Sequence, residues 1–242
     1  MTTHLGTLTD DILVIGDPHH PAGHPDYLPF LKAVRKKYKC KNVLCVGDMV
    51  DFQALGYHES DPDLPSAGDE LERVVKTLKD WQKAFPSLVI SEGNHTKMPK
   101  RKAKTFGLPR AFLRGFNDVF GITADWVWEP SHVTFNLACG MPVLMQHSWS
   151  ASLDAGKKAL CSESVIGGHF HSSSGVTWSQ DTKYRRFYMA AGCGVDPKHP
   201  AMSYGRNGAK SIHTLSCGII VNGAAHVIPM WLTPEGRWSG KL

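Results

Sequence analysis

The chain has 242 residues, of which 42% are hydrophobic and 20% are charged, and its formal net charge is +5. This composition is ordinary for a folded protein in water and excludes wholesale disorder. We expect no contact with a membrane, because no apolar run approaches the roughly 20 residues of a spanning helix and the first residues lack the basic and apolar regions of a signal peptide.

The six cysteines are spread along the chain without a Cys-x-x-Cys pair, and several stand inside apolar runs. This distribution favours reduced thiols over disulfides, and it argues against a metal site made of thiolates. We therefore expect a cytoplasmic protein. The length suits one large α/β domain, and we expect residues 1–242 to form a single domain.

In the first half of the chain, short apolar runs alternate with segments of helical period. The pattern predicts strands over 11–15, 42–46 and 87–91 and helices over 26–38 and 67–85. Residues 53–66 are rich in Pro, Ser and Asp and are predicted to be a loop. A strand, a helix and a second strand in this order form a crossover between parallel strands.

The second half of the chain is richer in strands. They are predicted over 133–137, 142–146, 164–166, 186–191, 215–221 and 225–232, with a weak helix over 151–161. The pair Asn222-Gly223 predicts a hairpin turn between the last two strands. A helix-rich half followed by a strand-rich half favours a two-sheet α/β sandwich.

Five predicted strands are each followed by residues with oxygen or nitrogen donor atoms. In chain order these residues are Asp17 and His19, Asp48 and Asp51, Asn94 and His95, His147, and His169 and His171. Each group alone has an ordinary explanation, since Asp after Gly is common in turns and a lone His-x-His is more often structural. Taken together, they form a donor set without thiolates that suits Mn, Fe, Zn or Mg.

A basic run follows His95. Between Gly93 and Asn117 there is no Asp or Glu, whereas the basic residues there are Lys97, Lys100, Arg101, Lys102, Lys104, Arg110 and Arg114. The run is either a solvated loop or a surface that faces phosphates. We favour the second interpretation because the run starts two residues after His95, and the candidate substrate-binding residues are Lys97, Lys100, Arg101, Lys102 and Lys104.

The blocks Asp17-Pro18-His19, Gly47-Asp48-Met49-Val50-Asp51, Gly93-Asn94-His95, His147 and Gly168-His169-Phe170-His171 resemble, in this order, the five signature blocks of the calcineurin-like metallophosphoesterases. The resemblance extends over residues 17–171. It implies a four-layer αββα sandwich of two mixed β-sheets flanked by helices, with two divalent metal ions. Manganese is the metal that we expect, with Fe, Zn, Ni or Mg as alternatives.

The resemblance also implies the role of each residue. Asp17, His19 and His171 would hold one metal ion together with Asp48, whereas Asn94, His147 and His169 would hold the other with the same Asp48. Two cations about 3.5–4 Å apart bind a phosphate and activate a water, so that hydroxide attacks phosphorus without a protein nucleophile. His95 would then protonate the leaving oxygen, with Asp51 as the carboxylate that orients it.

The chain departs from the family pattern at two places. Thr96 stands where an acidic residue often follows the Gly-Asn-His block, and Phe52 and Gln53 stand where phosphoprotein phosphatases carry an arginine. The missing arginine argues against a phosphoprotein phosphatase. From the donor set and the basic run after His95, we expect a phosphodiesterase, nuclease-like, that acts on DNA, RNA or a cyclic nucleotide. The alternatives are a phosphomonoesterase and a non-catalytic nucleic-acid-binding scaffold on the same fold.

Overall fold

The structure of the protein is a computed structural model that describes residues 3–57, 63–148, 163–201 and 213–242. Within these ranges the helices are α1 (Tyr27–Tyr38), α2 (Ala67–Ala84), α3 (Met98–Thr105) and α4 (Phe116–Phe120). The strands are β1 (Thr3–Leu8), β2 (Ile12–Ile15), β3 (Asn42–Cys45), β4 (Ser87–Ser91), β5 (Asp125–Glu129), β6 (Val133–Leu137), β7 (Pro142–Met145), β8 (Ser164–Gly167), β9 (Ser174–Gln180), β10 (Arg185–Ala191), β11 (Ser216–Val221) and β12 (Ala224–Pro229). Two short 3-10 helices occupy Gln53–Leu55 and Arg110–Phe112.

The strands form two mixed sheets of six strands each. The first sheet has the strand order β12-β11-β2-β3-β4-β5, and the second has the order β1-β6-β7-β8-β10-β9. Strands β2, β3, β4 and β5 run parallel to one another, and in the second sheet β7 runs parallel to β8. The predicted fold class, a sandwich of two mixed sheets flanked by helices, is confirmed.

Alternate residues of the central strands face two different cores, because side chains alternate across a strand. Leu13 and Ile15 of β2 pack in a core with α1, α2 and α4. Ile12 and Val14 face the other way and pack against side chains of the second sheet, such as Phe135. Both faces of β2 are therefore buried, as its uninterrupted apolar sequence predicts.

Most predicted elements are present, with ends displaced by a few residues. The Asn222-Gly223 turn joins β11 to β12, and both of its residues have positive φ. Strands β1, β5 and β9 and helices α3 and α4 were not predicted. Helix α3 was not predicted because Met98 is its only buried residue, and its sequence therefore lacks the apolar periodicity of an amphipathic helix. The helix predicted over 151–161 lies outside the described residues.

Within the described ranges, no helix combines the length and the apolar character that crossing a membrane requires.

The hydroxyl of Tyr27 ties α1 to two strands of the first sheet. Its oxygen accepts a hydrogen bond from the Gly16 backbone N at 3.1 Å, and it donates to the Ser216 backbone O at 2.8 Å. Burial raises the pKa of this phenol well above its usual range, so it remains a donor. Because Gly16 directly precedes Asp17, this hydroxyl helps to fix the end of β2.

Replacing Tyr27 by Phe is expected to lower the free energy of unfolding by about 1–3 kcal/mol, because it removes a partner from two buried backbone groups. Urea denaturation measures the change. Tyr184→Phe, at an exposed ring, is the matched control and is expected to change stability by less than about 0.5 kcal/mol. Equal effects of the two substitutions would contradict the structural role of the Tyr27 hydroxyl.

Candidate metal centre

The five predicted polar groups lie together where the two sheets meet. Three of them follow the carboxyl ends of β2, β3 and β4 in the first sheet, and two follow β7 and β8 in the second. The carboxyl ends of parallel strands share one edge, which is where open α/β sheets place their ligands. The contacts below show that side chains from both sheets face one another across this edge.

One cluster contains Asp17, His19 and His171, whose donor atoms all lie within 4.8 Å of one another. His171 Nε2 is 3.3 Å from Asp17 Oδ2, and the rings of His19 and His171 meet edge to face with centroids 4.7 Å apart. The other oxygen of Asp17, Oδ1, is buried and has no hydrogen-bond partner.

A second cluster contains Asp48, His147 and His169, again with donor atoms within 4.8 Å of one another. His147 Nε2 lies 3.0 Å from Asp48 Oδ2 and 2.9 Å from Asn94 Oδ1. The rings of His147 and His169 have centroids 5.2 Å apart. Asn94 therefore joins this cluster through its side-chain oxygen.

Asp48 is contacted from both clusters. Its Oδ2 lies 3.0 Å from His147 Nε2 and 3.7 Å from His19 Nε2. Its Oδ1 accepts hydrogen bonds from the backbone N–H groups of His95, at 2.8 Å, and Thr96, at 3.1 Å. One oxygen is thus held by the loop after β4, and the other is left to face both sets of histidines.

Asp51 holds two histidines rather than one. Its Oδ1 lies 2.8 Å from His95 Nδ1 and also 2.8 Å from His19 Nδ1. The sequence predicted only the contact with His95. Asp51 therefore orients a ring of the first cluster as well as the ring expected to move a proton.

The loops that carry these side chains are bonded to each other through their backbones. The N–H of His19 donates to the Asp48 carbonyl at 2.8 Å, and the N–H of Asp51 donates to the His20 carbonyl at 3.0 Å. His19 and Asp48 both have positive φ, which is unusual for residues other than glycine. Strained backbone of this kind occurs where the surrounding structure enforces it, typically at functional sites.

Glycines leave the space that the carboxylates fill. A Cβ on Gly93 would come within 2.1 Å of Asp48 Oδ1, and one on Gly168 would come within 2.5 Å of Asp17 Oδ1. No side chain fits at these distances. Glycine is therefore required at these positions of the predicted Gly-Asn-His and Gly-His-Phe-His blocks, because the carboxylates of Asp48 and Asp17 lie too close for any side chain.

The carboxylates and histidines of the centre shift one another's ionisation. Burial raises the pKa of Asp48, but the charge and hydrogen bond of His147 together with the charges of His19 and His95 outweigh it, and the net pKa lies well below the usual range. Burial lowers the pKa of His147, whereas Asp48 and Asp17 raise it to about 10. Burial likewise lowers the pKa of His95, whereas the hydrogen bonds to Asp51 and the charges of Asp48 and Asp51 together raise it to about 9. The buried carboxylates are ionised, and the surrounding histidines offset their negative charge.

The residues present fit divalent cations. Asp17 Oδ1 and His147 Nδ1 are buried 3.4 Å apart without a hydrogen bond, and His19 Nε2 is also buried without one, whereas buried polar atoms normally have a partner. A cation supplies such a partner. Carboxylate oxygens, imidazole nitrogens and one amide oxygen are donors that suit Mn, Fe or Zn, and within the described ranges no cysteine belongs to a cluster.

The basic run after His95 does not form one uniform surface. Lys100 Nζ is 2.5 Å from Glu92 Oε1, a carboxylate only 2% exposed, and it also lies 4.4 Å from the centre of the Phe116 ring. Lys100 thus neutralises a buried acid. Lys97 is half-buried, and burial lowers its pKa.

Arg101 and Lys102 lie on the opposite flank of α3. Their charged groups lie 5.0 Å and 4.1 Å from the centre of the Tyr57 ring. Arg101 also lines a cleft of about 180 Å³, together with Asn94 and His95 of the metal centre. Lys104 is exposed near the end of the helix.

Two residues of the site were not predicted. Thr96 was noted only as a departure from a pattern, yet its N–H bonds Asp48 and its hydroxyl lies 3.4 Å from the Val50 carbonyl. Glu70 of α2 accepts hydrogen bonds from the backbone N–H groups of Gln53, at 2.9 Å, and Ala54, at 3.2 Å. A single glutamate in an amphipathic helix carries no sequence signal for this contact.

A family model described as calcineurin-like phosphoesterase matches residues 11–188 of the chain. No curated protein is significantly similar in sequence. Among solved structures, the chain is similar to Yfce, a phosphoesterase from E. coli, at 12% identity, 96% coverage of this chain, 98% of that chain and a TM-score of 0.45. It is also similar to vacuolar protein sorting 29 from Cryptosporidium parvum, at 14% identity, with 90% of this chain and 95% of that chain covered and a TM-score of 0.46. A third similar structure is that of a putative diadenosine tetraphosphatase, at 16% identity, with 95% of this chain and 98% of that chain covered and a TM-score of 0.45.

Manganese added to protein stripped with a chelator is expected to raise the midpoint of thermal unfolding. A ligand that binds only the folded state stabilises it by about 2.7 kcal/mol at 100 times its dissociation constant. In Asp48→Asn we expect most of this shift to be lost, because Asp48 contacts both clusters. Asp80→Asn, at an exposed residue of α2, is the control and keeps the full shift. If Asp48→Asn showed the full manganese-dependent shift in unfolding temperature, Asp48 would not be a metal ligand.

Proposed function

Because the chain belongs to the calcineurin-like phosphoesterase family, we propose that this metal-dependent phosphoesterase is a phosphodiesterase that acts on nucleic acid or a nucleotide. The observation that carries the proposal is the position of Asp48 between two donor clusters. A carboxylate has two oxygens, and here one is fixed by backbone N–H groups while the other faces both clusters.

We assign one cation to Asp17, His19, His171 and Asp48, and the other to Asn94, His147, His169 and Asp48. Manganese is the metal that we propose for both. When bound, two such cations orient a phosphate, lower the pKa of a water and stabilise the charge of an in-line displacement. The protein contributes the fixed positions of the donors, which the bonded loops and close-fitting glycines maintain.

His95 is placed to act as the proton donor. Its Nδ1 is held by the Asp51 carboxylate at 2.8 Å, which leaves Nε2 as the ring nitrogen available to a substrate. The side chain is 20% exposed and lines the cleft, so it is accessible while the metal donors around it are mostly buried. As the bond from phosphorus to the leaving oxygen breaks, that oxygen takes the proton from His95 Nε2.

The shape of the cleft favours a diester over a monoester. A diester carries a second substituent on phosphorus, and the cleft extends from His95 to walls formed by Phe52, Tyr57 and Met98. The exposed ring of Tyr57 offers a surface on which a nucleoside base can stack, and Gln53 and Asn94 add polar groups to the same cleft. Arg101 in the same cleft adds a positive charge beside the path of a polyanion.

We also propose that residues 1–242 form one domain in the cytoplasm. Strand β1 pairs with β6, β11 pairs with β2 and β12 pairs with β11, so early and late strands lie in the same two sheets as the middle of the chain. The described cysteines are free, and Cys40, Cys45, Cys193 and Cys217 are buried without bridges. Free thiols are typical of a reducing compartment.

His95→Ala is expected to lower the rate of manganese-dependent hydrolysis of an aryl phosphodiester by about 10²–10⁴-fold, because the leaving oxygen loses its proton donor. The same variant is expected to keep the manganese-dependent rise in unfolding temperature, since Asp51 still holds His19. His226→Ala, at an exposed histidine of β12, is the matched control.

The matching aryl monoester is measured beside the diester. Cleavage of the monoester alone would make the protein a phosphomonoesterase. Full activity of His95→Ala would exclude the proposed proton donor. If manganese stabilises the protein but neither ester is cleaved, the proposed function is wrong for these ester classes and a binding scaffold is favoured.

A further inference from the structure

Large apolar side chains are exposed just beyond α3. Phe106 is 83% exposed and Phe112 is 74% exposed, whereas phenylalanine is among the residues most often buried. Both lie in a segment with defined local structure. Leu108 N donates to the Ala103 carbonyl at 2.8 Å, and Phe112 N donates to the Pro109 carbonyl at 3.1 Å. The 3-10 helix that contains Phe112 contacts α3.

The exposed rings continue from the cleft at the metal centre. Arg101 lines that cleft beside His95, and Arg101 and Lys102 both lie against the ring of Tyr57. Tyr57 is itself half-exposed, and its hydroxyl lies 3.2 Å from Thr105 Oγ1 near the end of α3. Phe106 comes one helical turn after Lys102, so the next exposed ring follows along the same element.

The charge of α3 and of the residues around it, from 94 to 116, is of one sign. Residues 94–116 contain no Asp or Glu, and the buried Glu92 is occupied by Lys100. The remaining cations therefore have no acidic partner within their own segment. Alternating cations and exposed rings are the combination with which proteins bind single-stranded nucleic acid, since phosphates meet the cations and unpaired bases stack on the rings. A duplex hides the faces of its bases and offers only its phosphates.

We propose that Tyr57, Arg101, Lys102, Phe106, Arg110 and Phe112, here called the basic–aromatic surface, bind a single-stranded nucleic acid and lead it to the cleft at His95. This inference rests on the proposed function and names its substrate class. The cations meet the phosphates, and the rings of Phe106 and Phe112 stack with bases.

Binding is tested with a fluorescently labelled single-stranded DNA of mixed sequence by anisotropy, in the presence of chelator so that no cleavage occurs. Phe106→Ala/Phe112→Ala is expected to weaken binding by at least about 10-fold, since loss of stacking costs about 1–3 kcal/mol per base. Phe106→Trp/Phe112→Trp keeps aromatic rings and is expected to bind like the wild type. Because both rings are exposed, the variants are expected to unfold at the wild-type temperature.

The charged part of the surface is tested by salt dependence. Arg101→Ala/Lys102→Ala is expected to reduce the slope of log affinity against log salt by about 1.4, since each cation that meets a single strand contributes about 0.7. Lys32→Ala/Lys36→Ala, on the exposed face of α1, removes the same charge outside the surface and is expected to keep the slope. Lys100 is left unchanged in both variants because its loss would bury Glu92 without a partner.

Equal binding by wild type and Phe106→Ala/Phe112→Ala would overturn the basic–aromatic surface. So would tighter binding of a duplex of the same length, or binding of phosphatidylserine vesicles without binding of the single strand. Hydrolysis of the aryl phosphodiester by the wild type is measured separately. If the wild type hydrolyses the ester and the substitutions leave DNA binding unchanged, the basic–aromatic surface is rejected and the phosphodiesterase is retained. If the wild type does not hydrolyse the ester, the phosphodiesterase is rejected whatever the binding result.

Discussion

One buried carboxylate, that of Asp48, is the constraint on which the rest of the centre depends. Burying a charge costs several kcal/mol unless it is paired and hydrogen-bonded. The loop after β4 meets this requirement on one side through the N–H groups of His95 and Thr96. His147, which follows a strand of the second sheet, meets it on the other side. The same contacts that neutralise the charge therefore join the two sheets at their shared edge.

The cleft depends on a second buried acid. Glu70 lies in the first turn of α2 and binds the backbone N–H groups of Gln53 and Ala54. These residues follow Phe52, whose backbone is left-handed. Helix α2 thereby fixes the loop that forms a wall of the cleft. The same cleft is also lined by two residues of the metal centre, Asn94 and His95.

That the predicted donor residues lie close together could be predicted, because each comes shortly after an apolar strand; that they bind metal ions stays a prediction. The double role of Asp51 could not be predicted, because His19 and Asp51 are 32 residues apart and lie on the loops after two different strands. Lys100 shows a different limit. Its sequence context is that of its basic neighbours, and only the folded structure reveals that it pairs with the buried Glu92. Counting charges gives the sign of a surface but not which cations are free.

The sharing of Asp51 between His19 and His95 has an evolutionary consequence. A substitution there alters the surroundings of the His19 ring and of the His95 ring at the same time. Selection that favours a change at one ring therefore has little freedom at this position. Exposed residues of the cleft wall, such as Tyr57, have more freedom to diverge.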